Sequence, residues 1–197
     1  GNNAWYSRSE KKLEVGRGGS SARNYALFSD LFYHEYTHAV NDAIYEPVGG
    51  VSNGAISEGS ADYFAATLDE SPDHGEDRYL NESSVRHLDN DYKYPDDYIG
   101  EGHWDGQIFA GALWDLREVL GNLTVDSLAH NARFGFPETF ADYEYEMLLL
   151  DDNDGDLDLL ITNKIYRNDG FNFADSGALF AGAIGSGKWV DVDGDGD

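Results

Sequence analysis

His34-Glu35-Tyr36-Thr37-His38 is the stretch from which the chain is best read. Residues four apart share one face of a helix, so His34 and His38 can aim two imidazoles at one point, with Glu35 beside them. That combination is a zinc site with a general base attached. A chain with six His can also produce the pattern by chance, so its surroundings have to decide.

Outward from the pair, a helix is predicted to begin at the Ser20-Ser21 cap and to run through Leu27, Phe28, Leu31, Phe32 and Val40, which recur at spacings of three and four. Pro47 and Gly49-Gly50 break it. A second helix is predicted over about residues 55–68, with Ala61, Phe64, Ala65 and Leu68 facing inward. It carries Glu58, separated from His38 by nineteen residues, and Asp62 one turn further on. A catalytic zinc takes three protein ligands and keeps one position open, which makes Glu58 the candidate third ligand. Asp62 is placed to accept the free N–H of a ligand imidazole and fix its tautomer. A lone carboxylate on a helix is ordinarily just solvated; four groups at two paired spacings favour a metal.

Before these helices, residues 1–19 read as a short aromatic strand and a Gly-rich turn. After them, residues 69–102 form a long acidic loop rich in Pro, Gly and Tyr, of the kind usually tied to function or to an ion. A third helix is predicted over about 104–120, with Ile108, Ala112, Leu113, Leu116 and Leu120 as its apolar side, and weaker ones over 124–132 and 137–150. Composition then changes. Residues 151–197 hold eleven Asp, no Glu and three basic residues, which places a domain boundary near 150.

The formal charge of −25 repels nucleic acid and anionic membranes and attracts divalent cations, although most of these acids serve as solvated surface. Without Cys, any zinc must sit on His and carboxylate. No stretch is long enough for a membrane span, and the first residues lack the pattern of a signal peptide, so a processed chain or a fragment is expected. No nucleic-acid partner and no membrane insertion are expected.

With these residues in view, the chain resembles the thermolysin-type gluzincin metallopeptidases, with some likeness to the fungalysin branch. His34-Glu35-Tyr36-Thr37-His38-Ala39-Val40-Asn41-Asp42, the nineteen-residue gap and the Glu58-x-x-x-Asp62 helix carry the likeness over about residues 2–150. It implies a mainly α fold, a zincin helical subdomain behind a short N-terminal strand remnant, with the rest of an N-terminal subdomain expected in a longer protein. It implies that His34, His38 and Glu58 bind Zn2+, that Glu35 is the base and that Asp62 orients His34. Gly102-His103-Trp104-Asp105-Gly106 resembles the segment in which a His stabilises the transition state, which gives His103 that role. Arg86 matches an Arg that holds a substrate carbonyl. Asn3, in Asn3-Ala4-Trp5-Tyr6, matches an edge strand that pairs with the peptide. Asp30, Asp69, Asp73 and Glu76 match a Ca2+ site. Where the family carries a second, Tyr donor, this chain has Gly49, with Tyr45 nearby but out of register.

The tail resembles FG-GAP/VCBS-type repeats, a small β-rich Asp/Gly segment whose loops bind Ca2+. Asp152, Asp154, Asp156 and Asp158 form one loop of that type, with Leu150 where its first Asp should stand. Asp191, Asp193 and Asp195 begin a second, cut off by the chain end. Further repeats are expected elsewhere in a longer protein. The function implied is that of a secreted, extracellular bacterial zinc endopeptidase acting on protein or peptide substrates. The alternative is a calcium-dependent adhesion or scaffold module with a vestigial zinc site.

Overall fold

Alternating Ala4-Trp5-Tyr6-Ser7 and Lys12-Leu13-Glu14-Val15 pair as an antiparallel hairpin, β1 (Ala4–Ser7) with β2 (Lys12–Val15). The second strand was not expected from sequence. The computed structural model describes residues 3–75, 85–151, 158–161, 164–168, 173–179 and 188–190, the last four stretches as backbone. Glu76, Asp152, Asp154, Asp156, Asp191, Asp193 and Asp195 lie outside the described residues, and Asp158 is present as backbone alone.

The first long helix, α1, spans Ser29–Ile44 and not the expected start at Ser20. The reason is local. Asn24 caps a single 3-10 turn at Tyr25–Leu27, and Phe28 is then extended at φ −114°, ψ 113°, which ends that turn before α1 begins. Ala22, Tyr25 and Leu31 form a buried cluster to which Ala4, Val15 and Phe28 add, fixing the hairpin against the start of α1. Leu27 and Phe32, expected to be inward, are exposed, and the buried side of α1 carries His34, Glu35, Asn41 and Asp42. Polar groups hold the positions that a periodicity reading assigns to core.

The second helix, α2 (Gly54–Asp69), starts at Asn53, whose side chain accepts the N–H groups of Ala55 and Ile56. Ala61 and Ala65 are buried as expected, Phe64 is half-buried, and Leu68 is exposed. The acidic loop is partly structured, since β3 (Asp73–His74) and β4 (Arg86–His87) pair antiparallel. The third helix, α3 (Gly102–Leu120), crosses α2 where neither has a side chain. A Cβ on Gly59 would stand 2.6 Å from the Gly106 carbonyl oxygen and 2.8 Å from Phe109 Cδ1. Ile108 and Leu113 are buried on α3, joined by Phe109, Ala110 and Trp114, while Ala112, Leu116 and Leu120 are exposed.

The chain divides into two compact units, residues 1–116 and 117–197. In the second, α4 (Asn122–Ala132) packs on α5 (Phe140–Leu150), and Tyr143 donates its hydroxyl to the Ala129 carbonyl at 2.5 Å. A capping box joins Thr139 and Asp142 at the start of α5. Strands β5 (Asp158–Ile161), β6 (Lys164–Asn168), β7 (Phe173–Leu179) and β8 (Lys188–Val190) form an antiparallel sheet in the order β7-β6-β5-β8. The described chain is thus mainly helical with small antiparallel sheets. Among the described residues no helix is long and apolar enough to cross a membrane.

The α2–α3 crossing gives a direct test. Gly59→Ala forces apart two close backbones and should lower stability by about 1–3 kcal/mol despite the gain in helix propensity, read from urea unfolding.

Candidate metal centre

The site lies in the first unit, where α1, α2, β1, β4 and the start of α3 border one cavity of about 530 Å3. One helical turn separates His34 from His38, and their Nε2 atoms are 3.1 Å apart. From α2, Glu58 brings Oε2 to 3.4 Å from the first nitrogen and 3.6 Å from the second. That oxygen is buried and accepts no hydrogen bond among the described residues. Two imidazole nitrogens and an orphaned carboxylate oxygen converging on one point fit a single cation, since a buried carboxylate left without a partner is costly.

The other ring nitrogens say which atoms would face the ion. Asp62 is fully buried, and its Oδ1 lies 2.8 Å from His34 Nδ1, while Ser57 Oγ lies 3.4 Å from His38 Nδ1. Both imidazoles are therefore held at Nδ1 and present Nε2. Asp62 is held in turn by Arg86, whose Nε and Nη2 donate to its two oxygens at 2.5 and 2.7 Å. Burial alone would push the Asp62 carboxyl up, yet Arg86 and the neighbouring imidazoles hold it well below the ordinary range. For metal-free His34, burial lowers the imidazole pKa, but Asp62 and Glu58 outweigh that and raise it to about 9.

Each residue singled out from the sequence can now be placed. His34, His38 and Glu58 converge, and Asp62 stands behind His34. Glu35 is buried at the wall of the same cavity and makes no hydrogen bond or ion pair among the described residues. His103 is exposed at the start of α3, with Nε2 3.3 Å from Glu58 Oε2, but it is not one of the three groups that close on a common point. Arg86 lines the cavity with two of its nitrogens committed to Asp62. Asn3 is exposed at the cavity edge, where its carbonyl accepts the Gly16 N–H at 2.8 Å. Tyr45, the neighbour of the Gly49 position, is buried.

The acids of the expected calcium site do not form a group among the described residues. Asp30 is buried and accepts N–H groups from Leu31 and Gly75, Asp69 takes the Ser29 hydroxyl, and Asp73 meets His87 Nδ1 at 2.8 Å.

Two further residues belong to the site and were passed over in the sequence. His74 is 2% exposed, lies over the His34 ring at 5.0 Å, and brings its nitrogens to 3.5 Å from Asp30 and 3.7 Å from Asp62. His34, Asp62 and His74 also converge, but Arg86 already neutralises Asp62, which disfavours a second cation there. Glu101 puts one oxygen 3.1 Å from His103 Nδ1 and accepts the Trp104 N–H with the other at 2.8 Å. A carboxylate just ahead of a helix and two residues before the His was the available signal for Glu101. Nothing local marks His74, whose partners are on two other elements.

No protein-family model matches the chain, and no curated protein matches it either. The donor set is therefore the ground for the metal, and it can be tested at Asp62. Asp62→Asn should keep one zinc per chain but weaken it about 10- to 100-fold in competition with a chromogenic chelator. The metal-free protein gives the second readout. With His34 raised above its unfolded value, the stabilisation from its charge is full below about pH 6.5 and lost as pH rises through about 9. The urea midpoint of chelator-treated protein should fall over that window, and the fall should flatten in Asp62→Asn.

Proposed function

We propose that the chain is a zinc-dependent endopeptidase in which His34, His38 and Glu58 hold the metal. The observation that carries the reading is the convergence of two Nε2 atoms on the orphaned Glu58 oxygen, with an unbonded Glu35 carboxylate in the same cavity. Three ligands leave a tetrahedral ion one position for water, which is the coordination of a catalytic site and not of a structural one. Zinc held there would acidify a bound water and polarise a substrate carbonyl.

The remaining work falls to the chain's own groups. Glu35 accepts the proton of the attacking water and returns it to the leaving nitrogen. His103, aligned by Glu101 at Nδ1, donates from Nε2 to the oxygen on which negative charge develops. Among the described residues β1 pairs only with β2, and Asn3, Ala4, Trp5 and Tyr6 line the cavity. The other edge of β1 can thus take an extended peptide as an added strand. Secretion and calcium binding by the Asp-rich tail belong to the same proposal.

Glu35→Gln should retain one zinc per chain and lose at least about a thousandfold in casein hydrolysis, since Glu35 is not a ligand. His103→Ala should lower kcat by about 100- to 1,000-fold with a smaller change in KM. Wild-type rates in either variant contradict the assignment. Calcium binding without any hydrolysis by the zinc-loaded chain favours the scaffold alternative.

A further inference from the structure

We propose that Arg8 is the residue that recognises a substrate carboxylate in the cleft, an inference that rests on the peptidase reading and adds a specificity to it. Arg8 follows β1 and borders the same cavity as the metal-binding groups, with its side chain 52% exposed. In a chain with a net charge of −25, a cation in the cleft wall is out of keeping with its surroundings.

The guanidinium is held in place before any substrate arrives. Its Nε lies 2.5 Å from Oδ1 of buried Asp42, and its Nη1 donates to the Gly49 carbonyl at 2.7 Å. Gly50 makes the room. A Cβ at that position, where φ is +116°, would stand 2.6 Å from Arg8 Nη1. The space left by the missing side chain of Gly50 is thus filled by a cation from another element, while a Cβ on Gly49 would meet open space.

Charge and donor geometry then select the ligand. Asp42 does not cancel Arg8, because its Oδ2 also accepts from Lys11 Nζ at 2.5 Å and from the Tyr6 hydroxyl at 2.8 Å. One carboxylate faces two cations. Of the five N–H donors of a guanidinium, one on Nη1 goes to the Gly49 carbonyl, while Nε is ion-paired with Asp42 Oδ1, an oxygen that accepts no hydrogen bond among the described residues. Among the described residues Nη2 has no partner, so its two N–H groups and the second one on Nη1 remain for a ligand. A planar fork of this kind matches the two oxygens of a carboxylate, which it binds more strongly than a single carbonyl oxygen. The carboxylate has two possible sources in a peptide, an Asp or Glu side chain or the free C-terminus.

Binding to the zinc-loaded Glu35→Gln protein tests the inference apart from turnover. Three dye-labelled peptides are compared by fluorescence anisotropy: a neutral one with an amidated end, the same peptide with one Glu moved along it, and the neutral peptide with a free C-terminus. At least one carboxylate peptide should bind about tenfold tighter than the neutral amide. Which of the two does so identifies the source. Adding Arg8→Ala should bring the ratio close to one, Arg8→Lys should keep part of it, and Arg8→Glu should favour a Lys-containing peptide instead. Zinc stoichiometry of each variant checks that the site is intact. No preference in the parent, including no measurable binding of any peptide, or a preference that survives Arg8→Ala, overturns the assignment. The peptidase reading fails separately, if the zinc-loaded chain with Glu35 intact cleaves none of these peptides while the binding preference persists.

Discussion

Asp62 is a carboxylate with no contact with water, and the candidate site is assembled around the need to keep it charged. An ionised group in that position costs several kcal/mol unless it is paired and hydrogen-bonded, and the pairing here comes from three directions. Arg86 reaches it from β4 with two donors, His34 from α1 with one, and His74 from β3 at longer range. The elements that carry these groups are thereby held in one arrangement. The coupling also runs outward to the proposed metal ligands, because the Asp62 oxygen on His34 Nδ1 decides which nitrogen of that ring faces Glu58.

Around this charge the backbone is arranged for close approach. Gly59 and Gly106 let α2 and α3 touch without side chains between them, which brings His103 at the start of α3 to 3.3 Å from Glu58 on α2. The hairpin is fixed to the start of α1 through Ala22, Tyr25 and Leu31, so β1 forms a wall of the cavity. At that wall Asp42 plays a lesser version of the Asp62 role, as a buried carboxylate shared by Arg8, Lys11 and Tyr6. The two carboxylates differ in consequence. Asp62 is matched by a guanidinium whose side chain is only 10% exposed, whereas Asp42 leaves a cation exposed to the cleft.

The convergence of His34, His38 and Glu58 was legible in the sequence because its information is local. Spacing of four on one helix brings His34 and His38 together, and spacing of four on the next sets Glu58 beside Asp62. What joins elements was not legible. His74 gains its meaning from Asp30 and Asp62, which are 44 and 12 residues before it, and Arg8 gains its meaning from Asp42 and Gly49. The start of α1 was misplaced for a related reason: Leu27, Phe28, Leu31 and Phe32 have helical spacing, but Asn24 turns the chain locally and only Leu31 of the four is fully buried. On a helix that lines a cleft, the buried positions are His34, Glu35, Asn41 and Asp42, which a search for an apolar stripe discards.

The central claim is a zinc ion on three protein ligands with one position left for water. X-ray absorption at the zinc edge, on protein loaded with one equivalent, counts those ligands directly. The account predicts two imidazole nitrogens and a carboxylate oxygen with one further oxygen, at about 2.0–2.2 Å. A third imidazole in the coordination sphere would mean that His103 closes the site, and a sphere of oxygens alone would place the ion on the chain's acids, away from His34 and His38. Either result would contradict the catalytic reading.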